Sequence, residues 1–288
     1  GNTSLASVTL PSSMTTINSY AFYNTTSLKE LVFPTELKTI GDYAFYGTRI
    51  RTLNIPSRVT SIGSYAFNGD VALTSLTIPG NVKTIGSYAF SGCANITSLT
   101  LNSGIQSIGS YAFQNLKITI VTVPDSVTSI GEGAFKGCSS LVSISVPFVG
   151  ASRTASAYQA TFGYIFGYTT ADEGYYYRFD GSTNAYSSTV NTAQLGSSTS
   201  YVNYKLGSSS TSIYLPSGTT WQYSSYNGTS YYSGGSTYYY LKSYYYYIPA
   251  SLTAVTITDA TSIPTAAFNG CSNITSIVIN DEVTTINS

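Results

Sequence analysis

LTSLTIPGNVKTIGSYAFSGC, residues Leu73 to Cys93, holds two hydrophobic rhythms and one turn signal. Leu76-Thr77-Ile78 alternates with a period of two, the signature of a strand with one buried face. Pro79 follows and cannot donate to a ladder, so it ends the strand. Val82, Ile85 and Gly86 then read as a second short extended segment, the glycine supplying freedom to turn. Ser87-Tyr88-Ala89-Phe90 reads as a single helical or 3₁₀ turn on the outer side.

The same unit recurs along the chain. Ala-Phe pairs end at Phe22, Phe45, Phe67, Phe90, Phe113 and Phe135, with spacings of 23, 22, 23, 23 and 22, and a seventh ends at Phe268. The strand pattern occurs nine times, from Leu5, Val8, Leu10 and Pro11 to Ile274, Ile277 and Ile279. A fixed period of this length means a solenoid, in which each coil buries its apolar residues only against its neighbours. A buried Phe contributes roughly 1.5–3 kcal/mol, so the stacked Phe residues form a spine that no single coil could stabilise alone. The tyrosines two positions before each anchor, Tyr20, Tyr43, Tyr65, Tyr88 and Tyr111, are expected to stack as outer cladding. Outward strand positions such as Thr52 and Asn54, Ser75 and Thr77, Ser98 and Thr100, and Ser143 and Ser145 make a carpet of small polar groups without an aromatic or Arg anchor.

After Pro147 the rhythm stops. Phe135 and Phe268 are 133 residues apart, room for one coil and an excursion of roughly 100 residues. Residues 158 to 247 hold 21 of the 28 tyrosines, spaced by Ser, Thr and Gly. Such composition also suits a low-complexity segment. Alternating stretches such as Tyr201 to Leu206 and Ser212 to Leu215, bounded by Gly, Ser and Pro, favour a folded all-β module. Phe162 to Phe166 fits the end of a degenerate coil before the chain leaves. The expected division is a solenoid over 1–150, a Tyr-rich module over 151–247, and a resumed solenoid over 248–288 whose array continues beyond this chain.

In its strand, Val-x-x-Ile-Gly and Ser-Tyr-Ala-Phe elements the unit resembles the leucine-rich repeats of the BspA-like bacterial surface proteins, over roughly residues 3 to 148 and 249 to 288. That resemblance implies a curved leucine-rich-repeat solenoid, β-rich with short helical or 3₁₀ turns outside, on a secreted or surface-attached bacterial protein. It also implies adhesion to a host or neighbouring-cell protein or glycan.

Composition narrows the chemistry. The 288 residues carry 12 basic and 12 acidic side chains, with no His. Zero net charge gives no electrostatic footprint for nucleic acid. Without His the chain lacks the commonest general base and transition-metal ligand, and no cofactor is implied. No apolar run is long enough to span a bilayer, and Gly1-Asn2-Thr3 carries no signal-peptide pattern. Cys93, Cys138 and Cys271 each follow an anchor Phe by three residues and read as free buried thiols, because coils two apart lie beyond disulfide reach. Asp172, Glu173 and Asp180 match no calcium loop and read as solvated turn residues. Asn2, Asn24, Asn95, Asn227 and Asn273 open Asn-x-Ser/Thr triplets, of which Asn95 and Asn273 belong to the repeat itself. Nothing places two carboxylates across a cleft, so the chain reads as non-enzymatic.

Candidate binding residues lie in the module: Trp221, Tyr223, Tyr226, Tyr231 and Tyr232. Trp and Tyr dominate interface hot spots, and Tyr with Ser and Gly makes adaptable contact surfaces. A small β-module also needs a core, and Trp221 reads first as part of it, with some of the many tyrosines left over for a surface. Two functions follow: a cell-surface adhesin whose scaffold presents the tyrosines, or a structural spacer of a larger surface protein that recognises its target elsewhere.

Overall fold

In the computed structural model, which describes residues 1–155, 157–180, 185–189, 231–233, 236–264, 267–268 and 271–287, the chain forms two compact units. One comprises Gly1–Tyr168 with Tyr246–Ser288, and the other Thr169–Tyr245.

The first unit is the leucine-rich-repeat solenoid. Ser75–Ile78 and Ser98–Leu101 pair in parallel, Leu76 opposite Leu99 and Thr77 opposite Thr100, with the apolar residues buried and the polar ones exposed. Since the register is in phase, equivalent side chains stack from coil to coil. The Val-x-x-Ile segments form a second parallel sheet of six strands, from Thr16–Ile17 through Ser129–Ile130. Its isoleucines Ile17, Ile40, Ile62, Ile85, Ile108 and Ile130 are all buried. Asn18 follows Ile17, but a glycine follows each of the other five and serves close approach between coils: a Cβ on Gly86 would stand 2.4 Å from the backbone nitrogen of Ser64.

The outer turns follow one hydrogen-bonding scheme. Ala21, Tyr23 and Thr25 donate to Asn18, Tyr20 and Phe22, closing turns of 3₁₀ type at 3.2–3.3 Å. The intervening N–H groups of Tyr20, Phe22 and Asn24 donate to Asp42, Ala44 and Tyr46 of the next coil at 2.7–2.9 Å. Alternate amides therefore close the turn and bind the neighbouring coil. Inside, the Phe spine is continuous from Phe22 to Phe135, ring centres 5.2–6.0 Å apart.

The first sheet is less regular than nine equal motifs suggest. Eight motifs carry ladder strands; at Thr52–Ile55 the backbone leaves the ladder, although Leu53 and Ile55 still pack on the core. The sheet breaks again between Ser98–Leu101 and Ile120–Thr122. Both breaks follow the coils with 22-residue spacing, in which Thr48-Arg49-Ile50 and Leu116-Lys117-Ile118 are one residue shorter than Cys93-Ala94-Asn95-Ile96. The outward carpet is also interrupted, by Val32 at 83% exposure and Ile120 at 64%.

The second unit contains an antiparallel sheet in which Tyr168–Asp180 lies between Ala185–Thr189 and Ser236–Tyr246, with Tyr231–Ser233 beyond the latter. Asp172 and Glu173 are inside the long strand and Asp180 ends it, so the expectation that all three are turn residues is corrected. Ladder pairing on both sides of Tyr168–Asp180 holds this stretch extended. The alternating stretches Tyr201 to Leu206 and Ser212 to Leu215 lie outside the described residues.

Candidate functional site

The interruption sits inside one coil. Ser143–Val146, before it, pairs directly with Ala254–Ile257, after it, Ile144 opposite Val255. Between them the Ala151 carbonyl accepts from Ile130 N–H of the preceding coil's second strand at 2.8 Å, and the 3₁₀ helices Ala157–Ala160 and Phe162–Phe166 follow. Gly133 and Phe135 of the preceding coil donate to Tyr164 and Ile165 at 3.0 and 2.9 Å, and Phe162 donates to Ala267 of the following coil at 2.8 Å. The chain then leaves at Gly167 and returns at Tyr247, whose backbone N–H donates to the Gly167 carbonyl at 2.9 Å. Arg153 pins this coil from the other side. Its guanidinium packs 5.3 Å from the Phe148 ring centre, donates to the carbonyls of Asp125 and Val127, and pairs with Asp259.

Of the five candidate binding residues, Trp221, Tyr223 and Tyr226 lie outside the described residues. Tyr231 and Tyr232 are on a strand, opposite Tyr238 and Thr237.

The tyrosine cladding of the repeat unit is a ladder. Tyr20, Tyr43, Tyr65, Tyr88 and Tyr111 stack with ring centres 4.6–4.8 Å apart. All five hold positive φ, 55–62°, a conformation that costs an L-residue about 1–2 kcal/mol. Stacking and cover for the Phe layer offset that cost. Inner rings have both faces covered by neighbours, so the ladder offers ring edges and hydroxyls rather than platforms. Desolvation raises the phenol pKa of Tyr43, Tyr65, Tyr88 and Tyr111; at Tyr111 a 2.5 Å hydrogen bond donated to the Glu132 carboxylate raises it further. The ladder ends at Gly133, φ 61°, where a Cβ would stand 2.6 Å from the Tyr111 ring.

Beneath it, the position three after each Phe forms a column in the core that is polar or thiol-bearing at Thr25, Thr48, Asp70, Cys93 and Cys138 and apolar at Leu116. Cys93 and Cys138 are fully buried free thiols, each donating S–H to a Phe carbonyl of the preceding coil, Phe67 or Phe113, at 3.2 Å. Cys271 is free and half-buried. Burial pushes the thiol pKa up to about 12 at Cys138 and Cys271, and higher at Cys93. These are packing groups, not nucleophiles.

Asp70 occupies the same column with 0% exposure, a feature its sequence position alone did not reveal. It accepts from Ile50 N–H at 2.7 Å, Thr48 Oγ1–H at 3.0 Å and Ala72 N–H at 3.0 Å. In full-length coils the equivalent amides of Leu28 and Ile96 close a turn onto Thr25 and Cys93. The short coil cannot close that turn at Ile50, and the carboxylate takes its place. Burial raises the Asp70 pKa, and these hydrogen bonds lower it in part.

Among the described residues no group of three or more His, Cys, Asp or Glu could hold a metal ion, and no helix is long and apolar enough to cross a membrane.

Comparison with known proteins agrees with the repeat reading. The family model for the BspA type leucine-rich repeat region matches in six copies, over residues 1–79, 60–161 and 239–288. A leucine-rich repeat protein from Bacteroides ovatus is 19% identical with a TM-score of 0.48; the alignment covers 96% of this chain but 55% of that one. A leucine rich cell surface protein from Faecalibacterium prausnitzii is 20% identical with a TM-score of 0.36, covering 96% of this chain and 79% of that one. No curated protein matches the chain.

Proposed function

The chain belongs to the BspA-type leucine-rich-repeat family, and from that premise we propose that it works as an extracellular adhesin on a bacterial cell surface. Its solenoid is a rigid scaffold, and the Tyr-rich module carried on it contacts a host or neighbouring-cell protein or glycan. The contact set is Trp221, Tyr223, Tyr226, Tyr231 and Tyr232, with modest affinity per site raised by multivalent display.

The observation that supports this reading is the closure of the repeat unit at the interruption: Ser143–Val146 pairs with Ala254–Ile257, and Tyr247 bonds to Gly167. A scaffold that needs nothing from an excursion of this size leaves the excursion available for recognition. Long insertions without a role in the core are commonly functional.

The test compares the intact chain with one in which residues 168–246 are replaced by Asn-Gly, against one panel of extracellular-matrix proteins, mucin and polysaccharides. Loss of binding in the shortened chain alone supports the proposal. Equal binding by both moves recognition to the repeat unit, and binding by neither leaves the spacer reading; either result overturns it.

A further inference from the structure

Where the outer wall of stacked turns meets the interrupted coil, it opens into a groove of about 230 Å³ lined by Gln114, Asn115, Lys136, Ser139, Tyr247 and Pro249. Two substitutions along the repeat columns shape it. The tyrosine column passes from Tyr111 to Gly133, and the column Tyr23, Tyr46, Asn68, Ser91, Gln114 reaches Lys136. Tyr247 is 46% exposed.

The Lys136 ammonium lies 4.2 Å from the ring centre of Tyr247 and 5.7 Å from that of Tyr111. It has no ion-pair or hydrogen-bond partner among the described residues. The nearby Glu132 carboxylate accepts from the Tyr111 hydroxyl instead. A cation held only against aromatic rings keeps its three N–H donors for a ligand. Gln114 Oε1 already accepts from Ser91 Oγ–H at 3.0 Å, which leaves the Gln114 amide N–H groups as donors beside Lys136. Asn115 is exposed and adds both a donor and an acceptor.

A half-exposed phenol ring, a lone ammonium and two carboxamides are the complement of a carboxylated sugar: C–H groups on one face, an anion, and hydroxyls that donate and accept. The volume is below the roughly 300–1,000 Å³ of pockets that enclose drug-sized ligands, so it suits a single ring. We propose that this groove binds one acidic sugar residue, of uronic or sialic type, within a polysaccharide. Its carboxylate pairs with Lys136, its ring packs on Tyr247, and its hydroxyls meet Gln114 and Asn115. The site lies on the repeat unit and does not rest on the module's role.

The test is calorimetric titration of the full chain at low salt with hyaluronate and polygalacturonate oligosaccharides, with neutral dextran oligosaccharides and polyglutamate as comparisons. The expected result is acidic-sugar binding at least tenfold tighter than either comparison, weakened about tenfold by Lys136→Gln or Tyr247→Ala and retained by Lys136→Arg. Both side chains are at the surface, and circular dichroism checks that each variant keeps the fold. Equal affinity for dextran, indifference to Lys136→Gln, or polyglutamate binding as tightly through Lys136 overturns the proposal.

Discussion

The carboxylate of Asp70 accepts the backbone N–H of Ile50 at 2.7 Å, across one coil of the solenoid. That bond repairs a coil one residue short. Asp70→Ala therefore strands Ile50 N–H in the core and takes the acceptor from the half-buried Ala72 N–H, while Thr48 Oγ1 keeps the Phe45 carbonyl; a buried unsatisfied group costs about 1–3 kcal/mol. The expected outcome in urea unfolding is a clear loss of stability, larger than for Thr25→Ala at the equivalent position.

The same residue gives a pH signature. Its folded pKa is raised by burial, so the folded state holds the proton more tightly than the unfolded chain. The associated stability is fully present below the unfolded value of about 3.9 and is lost as pH rises through the folded value. Asp70→Asn removes that titration. The stability difference between wild type and Asp70→Asn should thus change across this window, with wild type favoured more at the acid end; a pH-independent difference contradicts the assignment.

Tyr65 stacks between Tyr43 and Tyr88 with φ 58°. Tyr65→Ala and Tyr65→Gly lose the same ring, but only Gly relieves the left-handed backbone, by about 1–2 kcal/mol. Hence Tyr65→Gly is expected to be the more stable of the two, by about 1 kcal/mol in denaturant midpoints. Gly133 already shows Gly in this column.

Thiol chemistry provides a third check. With Cys138 pushed up to about 12 and Cys93 higher, both should alkylate on the order of a thousandfold more slowly with iodoacetamide at pH 8 than in guanidinium. Peptide mass spectrometry reads each site separately. Half-buried Cys271 should label before the other two.

The period of Phe22 to Phe135 made the solenoid legible, because in-phase stacking repeats every contact once per coil. The tyrosine ladder followed from the same argument. What the residues did not disclose depends on geometry between coils. The 22-residue spacing at Phe67 was visible, and so was Asp70, but only the folded coil shows that a missing residue breaks a ladder and calls for a buried acceptor. Likewise Gly86 looks like a turn residue until the backbone of Ser64 is found against it. Arg153 and Asp259 are 106 residues apart, and no local pattern joins them. Lys136 and Tyr247 become neighbours only because the chain returns beside its point of exit.

A solenoid that closes across its own interruption is the basis of the functional account. Gly167 carbonyl to Tyr247 N–H has the geometry of the first and fourth residues of a β-turn, so Asn-Gly in place of residues 168–246 should join the two ends as a tight turn. The decisive measurement is amide hydrogen exchange on that shortened chain. Protection of Ser143–Val146 and Ala254–Ile257 equal to that in the full chain is the predicted result. Loss of protection in those strands would mean that the Tyr-rich module holds the repeat unit together, contradicting the account of a scaffold that carries it.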